Sequence, residues 1–245
     1  MRALVASLLS LGACSAPASQ PSLSSSHPAP APVARDTPSP SIAWQDTRFV
    51  TARLPAVARD ASLAVVAVDD GDGGRGFPNL RIEVRDRSDV VTATRQLLES
   101  SDYEALAPDG APGAELARRI TDGNAQLSDL HARHDLVPTT PLELEDPRQT
   151  EALPIVATGD DGLEVRWEAP RVVVRRAGKQ LASIDGSAWL PAPGKRCPTC
   201  EPCSNPAFLA GVSKAPGIDV AVVELGFNGT DLCWEPGHQF HVVAW

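Results

Sequence analysis

The chain has 245 residues, of which 22 are basic and 31 acidic, and its formal net charge is −9. An apolar content of 42% is sufficient for a buried core and excludes a wholly disordered chain. Nucleic-acid binding requires clustered positive charge, and no block of the sequence is rich in lysine or arginine, so a nucleic-acid partner is excluded. Length and composition predict a folded protein of one or two domains.

The first residues have the pattern of an export signal. Met1 and Arg2 form a short positive region, and residues 3–11 form an apolar stretch of nine residues. A membrane-spanning helix needs about 20 apolar residues, so this stretch is too short to cross a bilayer. Its length and its flanking charge are typical of a signal peptide.

The apolar stretch ends in a tetrapeptide, Leu11-Gly12-Ala13-Cys14, that resembles the lipobox of bacterial lipoproteins. Proteins of that class receive a diacylglyceryl group on the cysteine thiol, are cleaved before this cysteine and carry further acyl chains such as palmitate. The resemblance covers residues 1–14 and implies that residues 1–13 are removed. It also implies that Cys14 holds the mature chain at a lipid bilayer, since several acyl chains together anchor a protein firmly.

The residue after the cysteine indicates to which membrane a lipoprotein of this class is delivered. In Gram-negative lipoproteins an aspartate at this position marks retention at the inner membrane, whereas Ser15 stands here. The resemblance therefore implies the outer membrane, on its periplasmic or its surface face. The preference for arginine over lysine is also similar to that of surface lipoproteins from GC-rich Gram-negative bacteria. The alternatives are a secretory signal before a chance cysteine and a cytosolic amphipathic N-terminus.

A proline- and serine-rich segment follows the cysteine. Residues 15–43 contain seven prolines and eight serines but few large apolar side chains. This composition buries too little surface to offset the entropy of ordering, and its prolines favour extended conformations. We predict that residues 14–43 are the lipid anchor and a disordered tether with a reach of roughly 30 Å. Residues 44–245 are predicted to form one globular domain, with possible lobes at residues 44–150 and 151–245.

The remaining sequence predicts an α+β fold that is rich in strands at both ends. A β-branched run at Leu63–Val68 and alternating apolar and charged residues at Leu80–Val84 predict an antiparallel hairpin with a long turn. Ile218–Leu225 and Gln239–Trp245 predict a second hairpin near the end of the chain. Further short strands are predicted from Leu163 onward, where Pro170 and Gly178 divide them.

One long central helix is predicted between the two hairpins. Leu116, Ile120, Leu127 and Leu130 recur at helical spacing and fall on one stripe, which Gly123 interrupts. His131 and His134 continue this stripe, and we interpret them as helix-end histidines rather than metal ligands, because a positive charge is favourable at a helix C-terminus.

An acidic segment with several glycines separates the first two predicted strands. Residues 71–76 match a Gly-x-Gly-x-x-Gly fingerprint, but a strand follows where a dinucleotide site needs a helix, so no cofactor is predicted. Asp69, Asp70 and Asp72 are weak candidates for calcium, which prefers six to eight oxygen ligands. The segment lacks the spacing of an EF-hand, so a solvated acidic turn is the simpler interpretation.

Four cysteines remain when Cys14 is assigned to lipid. They are Cys197, Cys200, Cys203 and Cys233. An even number of cysteines in an exported chain predicts two disulfides, which would stabilise the C-terminal part. We expect one bond between the 197–203 run and Cys233. Four cysteines allow three pairings, and the sequence does not choose between them. The alternatives are zinc, with Cys233 or His238 as the fourth ligand, and a redox or cluster site on the run.

The sequence contains no recognisable catalytic motif. A Gly-x-Ser-x-Gly elbow, a His-Glu-x-x-His pair and a Walker loop are all absent. We therefore expect a non-enzymatic surface lipoprotein that binds a protein or an envelope component. An anchored hydrolase or carbohydrate-binding domain is the alternative, built from aromatic and titratable residues near the C-terminus. These are Asp231, Trp234, Glu235, His238, Phe240, His241 and Trp245. The odd offset between the two histidines would place them on opposite faces of a strand.

Overall fold

The computed structural model describes residues 37–45, 48–71, 78–106, 110–145, 155–190, 207–227 and 237–245. Residues Pro38–Trp245 form one compact unit. Several of the predicted site residues lie outside the described ranges. They are Cys14, Asp72, Cys197, Cys200, Cys203, Asp231, Cys233, Trp234 and Glu235. Within the described ranges, no helix has the length and apolar character needed to span a membrane.

Antiparallel strands make up most of the described residues, and one α-helix, α1, spans Ala114–His134. Short 3-10 helices cover Ser100–Ala105 and Ser187–Trp189. The predicted α+β class, rich in strands and with one long helix, is confirmed. The strands are β1 (Ser41–Gln45), β2 (Arg48–Ala52), β3 (Ala56–Ala58), β4 (Leu63–Gly71), β5 (Pro78–Asp86), β6 (Val91–Leu98), β7 (Leu136–Pro138), β8 (Thr140–Pro141), β9 (Glu143–Leu144), β10 (Ile155–Thr158), β11 (Leu163–Glu168), β12 (Arg171–Arg176), β13 (Lys179–Asp185), β14 (Ala207–Lys214), β15 (Val220–Phe227) and β16 (Gln239–Ala244).

Three sheets are stacked, and helix α1 covers the first of them. The helix-side sheet has the strand order β6-β5-β4-β3-β7, the central sheet β16-β15-β14-β8 and the outer sheet β13-β12-β11-β10-β9. Strands β1 and β2 form a separate hairpin, and β1 packs against α1. Strands β8 and β9 belong to the first of the two expected lobes but extend the central and outer sheets, so the two parts share their sheets.

Three apolar cores fill the spaces between these layers. The first lies between α1 and the helix-side sheet, the second between the helix-side and central sheets, and the third between the central and outer sheets. Strand β15 contributes to two cores because its side chains alternate between faces. Val220 and Val222 enter the second core, whereas Val223 and Leu225 enter the third. The central sheet is therefore buried on both faces.

Both predicted hairpins are present. Strand β4 pairs antiparallel with β5, and β15 pairs antiparallel with β16. Strand β4 continues through Gly71, so Asp69 and Asp70 lie in the strand and not in the acidic turn that the sequence indicated. The ladder of β4 and β5 extends to the pair Gly71 and Pro78, which explains why the turn is shorter than predicted.

Gly123 has a different role from the one inferred from the apolar stripe. It is buried on the inner face of α1 together with Leu116, Leu127 and Leu130, and does not interrupt that face. A Cβ atom at position 123 would lie 2.9 Å from Leu97 Cδ2 and 3.1 Å from Ile42 Cδ1. The glycine thus allows the side chains of neighbouring strands to approach the helix closely.

Ordered structure begins before Trp44, where the sequence analysis placed the start of the domain. Strand β1 starts at Ser41, so residues 41–43 of the expected tether belong to the fold. Ile42 is buried, its N–H donates to Asn124 Oδ1 at 2.9 Å, and its carbonyl accepts from Asn124 Nδ2 at 2.9 Å. One amide side chain of α1 therefore satisfies both backbone groups of Ile42, which local composition does not reveal.

Candidate functional site

A cleft of about 260 Å³ opens between the central sheet and the segment that joins β2 to β3. Most of its lining is apolar, as in small-molecule sites generally, with a few hydroxyl groups and one carboxylate. The lining residues are Thr51, Leu54, Pro55, Ala67, Pro141, Gly211, Val212, Ser213, Val222, Glu224 and Phe240.

Strand register explains the floor of the cleft. Gly211 and Phe240 are both register partners of Glu224, and Ser213 is the partner of Val222. Residues opposite one another in an antiparallel pair share a face of the sheet, so these side chains lie on the face that also carries the second core. The cleft therefore continues from this core, where Val222 contributes to both.

Glu224 is the one acidic residue of the lining, and it pairs with His238. The distance from His238 Nδ1 to Glu224 Oε1 is 2.5 Å. The side chain of Glu224 is 30% exposed and that of His238 is 52% exposed. The hydrogen bond that Glu224 accepts from His238 raises the pKa of this histidine above its usual 6.5. Burial of the ring lowers the pKa, whereas the negative charge of Asp69 raises it further. The pair is therefore an ion pair at mildly acidic pH.

Gly211 leaves space for the Glu224 carboxylate. A Cβ atom at position 211 would lie 2.9 Å from Glu224 Oε2. A bulge in β14 between Leu209 and Gly211 accompanies this close approach. Within the described part of the chain, Oε2 has no hydrogen-bond partner, whereas Oε1 is bound by His238. With respect to the described residues, one carboxylate oxygen at the cleft is thus available to accept a hydrogen bond.

Asp69 is the one member of the predicted acidic triad whose side chain is described. It keeps access to solvent, yet the surrounding protein removes enough water to raise the pKa of its carboxyl, with His238 acting in the opposite direction. Asp69 and Asp70 are consecutive residues of β4. Among the described residues, no group of three or more His, Cys, Asp or Glu side chains is placed to hold a metal ion.

A second polar cluster lies between the helix-side and central sheets. Arg85 binds Glu83 Oε2 through Nη2 at 2.8 Å and Asp89 Oδ1 through Nη1 at 3.0 Å. Arg81 Nε binds the other Glu83 oxygen at 2.7 Å. The side chains of Glu83 and Asp89 are only 6% and 13% exposed. These two buried carboxylates need their arginine partners, because a buried charge is costly unless an opposite charge and hydrogen bonds compensate it.

Asp89 connects this cluster to the edge strand of the central sheet. Its Oδ1 accepts the Val242 N–H at 2.7 Å, and its Oδ2 lies 2.7 Å from His241 Nδ1. The His241 ring is stacked on Trp189, with ring centroids 4.1 Å apart and 12° between the planes. His241 Nε2 is buried and has no hydrogen-bond partner in the described ranges. This histidine is enclosed rather than presented to a ligand.

The structure separates the C-terminal residues that the sequence analysis considered together. His238 pairs with Glu224 at the cleft, whereas His241 pairs with Asp89 at the edge strand of the central sheet and lies on the face of the third core. Phe240 lines the cleft, and Trp245 packs against the third core. Glu224 was not among the residues singled out from the sequence, although one carboxylate within the otherwise apolar segment Val220–Leu225 was a visible signal.

Comparison of the chain with family models, with curated proteins and with solved structures found no match. The interpretation of the site therefore depends on its own geometry and chemistry.

We predict that Asp89→Gly lowers the free energy of unfolding by about 3 kcal/mol, because it leaves Arg85, His241 and the Val242 N–H without their shared acceptor. Glycine keeps the positive φ of 66° at this position accessible, so the loss reports the side chain. Ala177→Gly, at an exposed position with φ 49°, is the matched control and should leave stability unchanged or slightly higher. Urea denaturation measures both variants, and equal effects would contradict the bridging role of Asp89.

The His238–Glu224 pair predicts a pH dependence. Since the folded-state pKa of His238 is raised, the stabilisation is fully present below about pH 6.5 and is lost as the pH rises through the folded pKa. Both groups are partly exposed, so its size is less than about 1 kcal/mol. An NMR titration of the His238 ring should give a pKa above 6.5 that falls towards 6.5 in Glu224→Gln and stays raised in the control Glu168→Gln. An unchanged pKa in Glu224→Gln would disprove the pairing.

Proposed function

We propose that the protein is an exported lipoprotein, anchored through Cys14 at the outer membrane, and that its folded domain binds a ligand or partner. The main support for the lipid anchor is the tetrapeptide Leu11-Gly12-Ala13-Cys14 at the end of a nine-residue apolar stretch. The proline- and serine-rich segment that follows supports this proposal, because such a spacer holds a folded domain away from a lipid surface.

The geometry of the described residues favours a binding role over catalysis. The mainly apolar cleft has the composition of a ligand site. His241, which has the carboxylate partner expected of a general base, is enclosed by Trp189 and lies away from the cleft lining. An anchored hydrolase is the second candidate, favoured by the His238–Glu224 pair at the cleft, since a histidine that is hydrogen-bonded to a carboxylate can act as a general acid or base.

We also propose that two disulfides join Cys197, Cys200, Cys203 and Cys233, which lie outside the described residues. Ala207 and Phe227 are register partners at one end of the β14–β15 pair. The chain segments that contain the 197–203 run and Cys233 therefore leave the central sheet at neighbouring points. A disulfide that closes a loop of about 30 residues would stabilise the fold by roughly 3–4 kcal/mol. Zinc and redox or cluster sites on these cysteines are the alternatives.

The anchor predicts that the chain incorporates labelled palmitate when it is expressed in a Gram-negative bacterium. Cys14→Ser should abolish both the labelling and the normal processing, and should move the protein out of the membrane fraction, because serine offers no thiol for the thioether. Cys233→Ser is the matched control and should retain the label. Normal processing and equal membrane association of Cys14→Ser would disprove the lipid anchor.

The disulfide proposal predicts that alkylation of the denatured, unreduced mature chain modifies no thiol of the folded domain. After reduction the same treatment should modify four, at Cys197, Cys200, Cys203 and Cys233, as measured by intact mass. Four reactive thiols before reduction, or stoichiometric zinc in elemental analysis of the purified chain, would contradict the two disulfides.

A further inference from the structure

We propose that the cleft binds a small organic ammonium compound, with its apolar body over Val222 and Phe240 and its charged group on Glu224. This inference deepens the binding role proposed above, on which it rests, by naming the chemistry of the ligand.

The size of the cleft limits the ligand to a small molecule. The volume of about 260 Å³ lies just below the range of about 300–1,000 Å³ that is usual for sites of drug-sized molecules, so the cleft suits a smaller compound. Leu54, Pro55, Pro141, Val222 and Phe240 supply apolar surface to its lining. A short alkyl or aryl group therefore fits, because it removes apolar surface of both partners from water.

The charge of the lining selects a cation. Glu224 contributes a carboxylate, and among the described residues that line the cleft there is no lysine or arginine. Its Oε2 atom has no hydrogen-bond partner among the described residues, and its side chain is largely removed from solvent. An ammonium group has several N–H donors, and a charge-assisted hydrogen bond to a carboxylate is stronger than a neutral one. Gly211 acts as a positioning residue, because any Cβ there would displace Oε2.

His238 makes this site sensitive to pH. The described titratable groups that face it are Glu224 from β15 and Asp69 from β4. When His238 is protonated it neutralises Glu224 and repels a second cation. When His238 loses its proton, Glu224 keeps an uncompensated charge, while an alkylammonium group, like that of lysine, remains protonated. The affinity for an ammonium ligand should therefore rise between pH 5.5 and pH 8.5.

The test uses the full chain with Cys14→Ser, so that binding is measured whether or not the lipid anchor exists. The probe is n-hexylammonium, with n-hexanol and n-hexanoate as neutral and anionic analogues of the same length. Calorimetry at pH 8.5 should give saturable binding of hexylammonium, an affinity for hexanol at least tenfold lower and no detectable binding of hexanoate. The affinity for hexylammonium should fall severalfold at pH 5.5.

Two further variants, made in the same Cys14→Ser chain, locate the interaction. Glu224→Gln keeps the shape of the side chain and should weaken hexylammonium binding at least tenfold, whereas Glu168→Gln, at an exposed carboxylate of the outer sheet, should leave it unchanged. Circular dichroism confirms that both variants are folded. Equal binding of hexanol and hexylammonium, an unchanged affinity in Glu224→Gln, or no saturable binding would each overturn the proposal. None of these results would affect palmitate labelling of Cys14, so the two proposals fail separately.

Discussion

The central sheet has protein on both of its faces, and most other features of the fold depend on this constraint. A sheet that is covered on both sides has to be apolar on both sides, as β15 shows, because its valines and leucine enter two different cores. A polar residue within such a sheet is stable only with a partner. Glu224 on the inner strand β15 and His241 on the edge strand β16 both meet this condition, each by a bond to a group outside its own strand.

Asp89 determines how the central sheet is fixed to its neighbour. Edge strands expose unpaired N–H groups, and this carboxylate satisfies that of Val242 while it also binds His241. Arg85 and Glu83 continue the contact into the helix-side sheet, so a chain of charged groups connects the helix-side sheet to the edge strand of the central sheet. Phe240, which lines the cleft, lies on this same edge strand.

The sequence was sufficient for features that depend on neighbours along the chain. Alternation predicted β5, the apolar residues Val220–Val223 predicted β15, and the spacing of Leu116, Leu127 and Leu130 predicted the helix. It was not sufficient where distant segments meet. The buried role of Gly123 requires Leu97 and Ile42 to arrive from two strands, and Asp89 lies 152 residues from His241. The order in which the sheets stack could not be predicted for the same reason. A strand with two apolar faces indicates that both faces are buried, but not which elements cover them.

The carboxylates of this acidic protein differ in the cation that pairs with each of them. This difference distinguishes the carboxylates that stabilise the fold from the one that lines the cleft. Glu83 contacts Arg81 and Arg85, and Asp89 contacts Arg85 as well as His241; since arginine stays protonated at every physiological pH, each of these two carboxylates keeps a cationic partner. Asp102 is matched by Arg119 on α1 in the same way. Glu224 differs, because its cationic partner among the described residues is His238, whose pKa is raised by this pairing and whose positive charge is lost as the pH rises through that pKa. Of these carboxylates, the one that lines the cleft is thus the one whose compensation is lost as the pH rises, which is a reason to connect it with ligand binding rather than with stability.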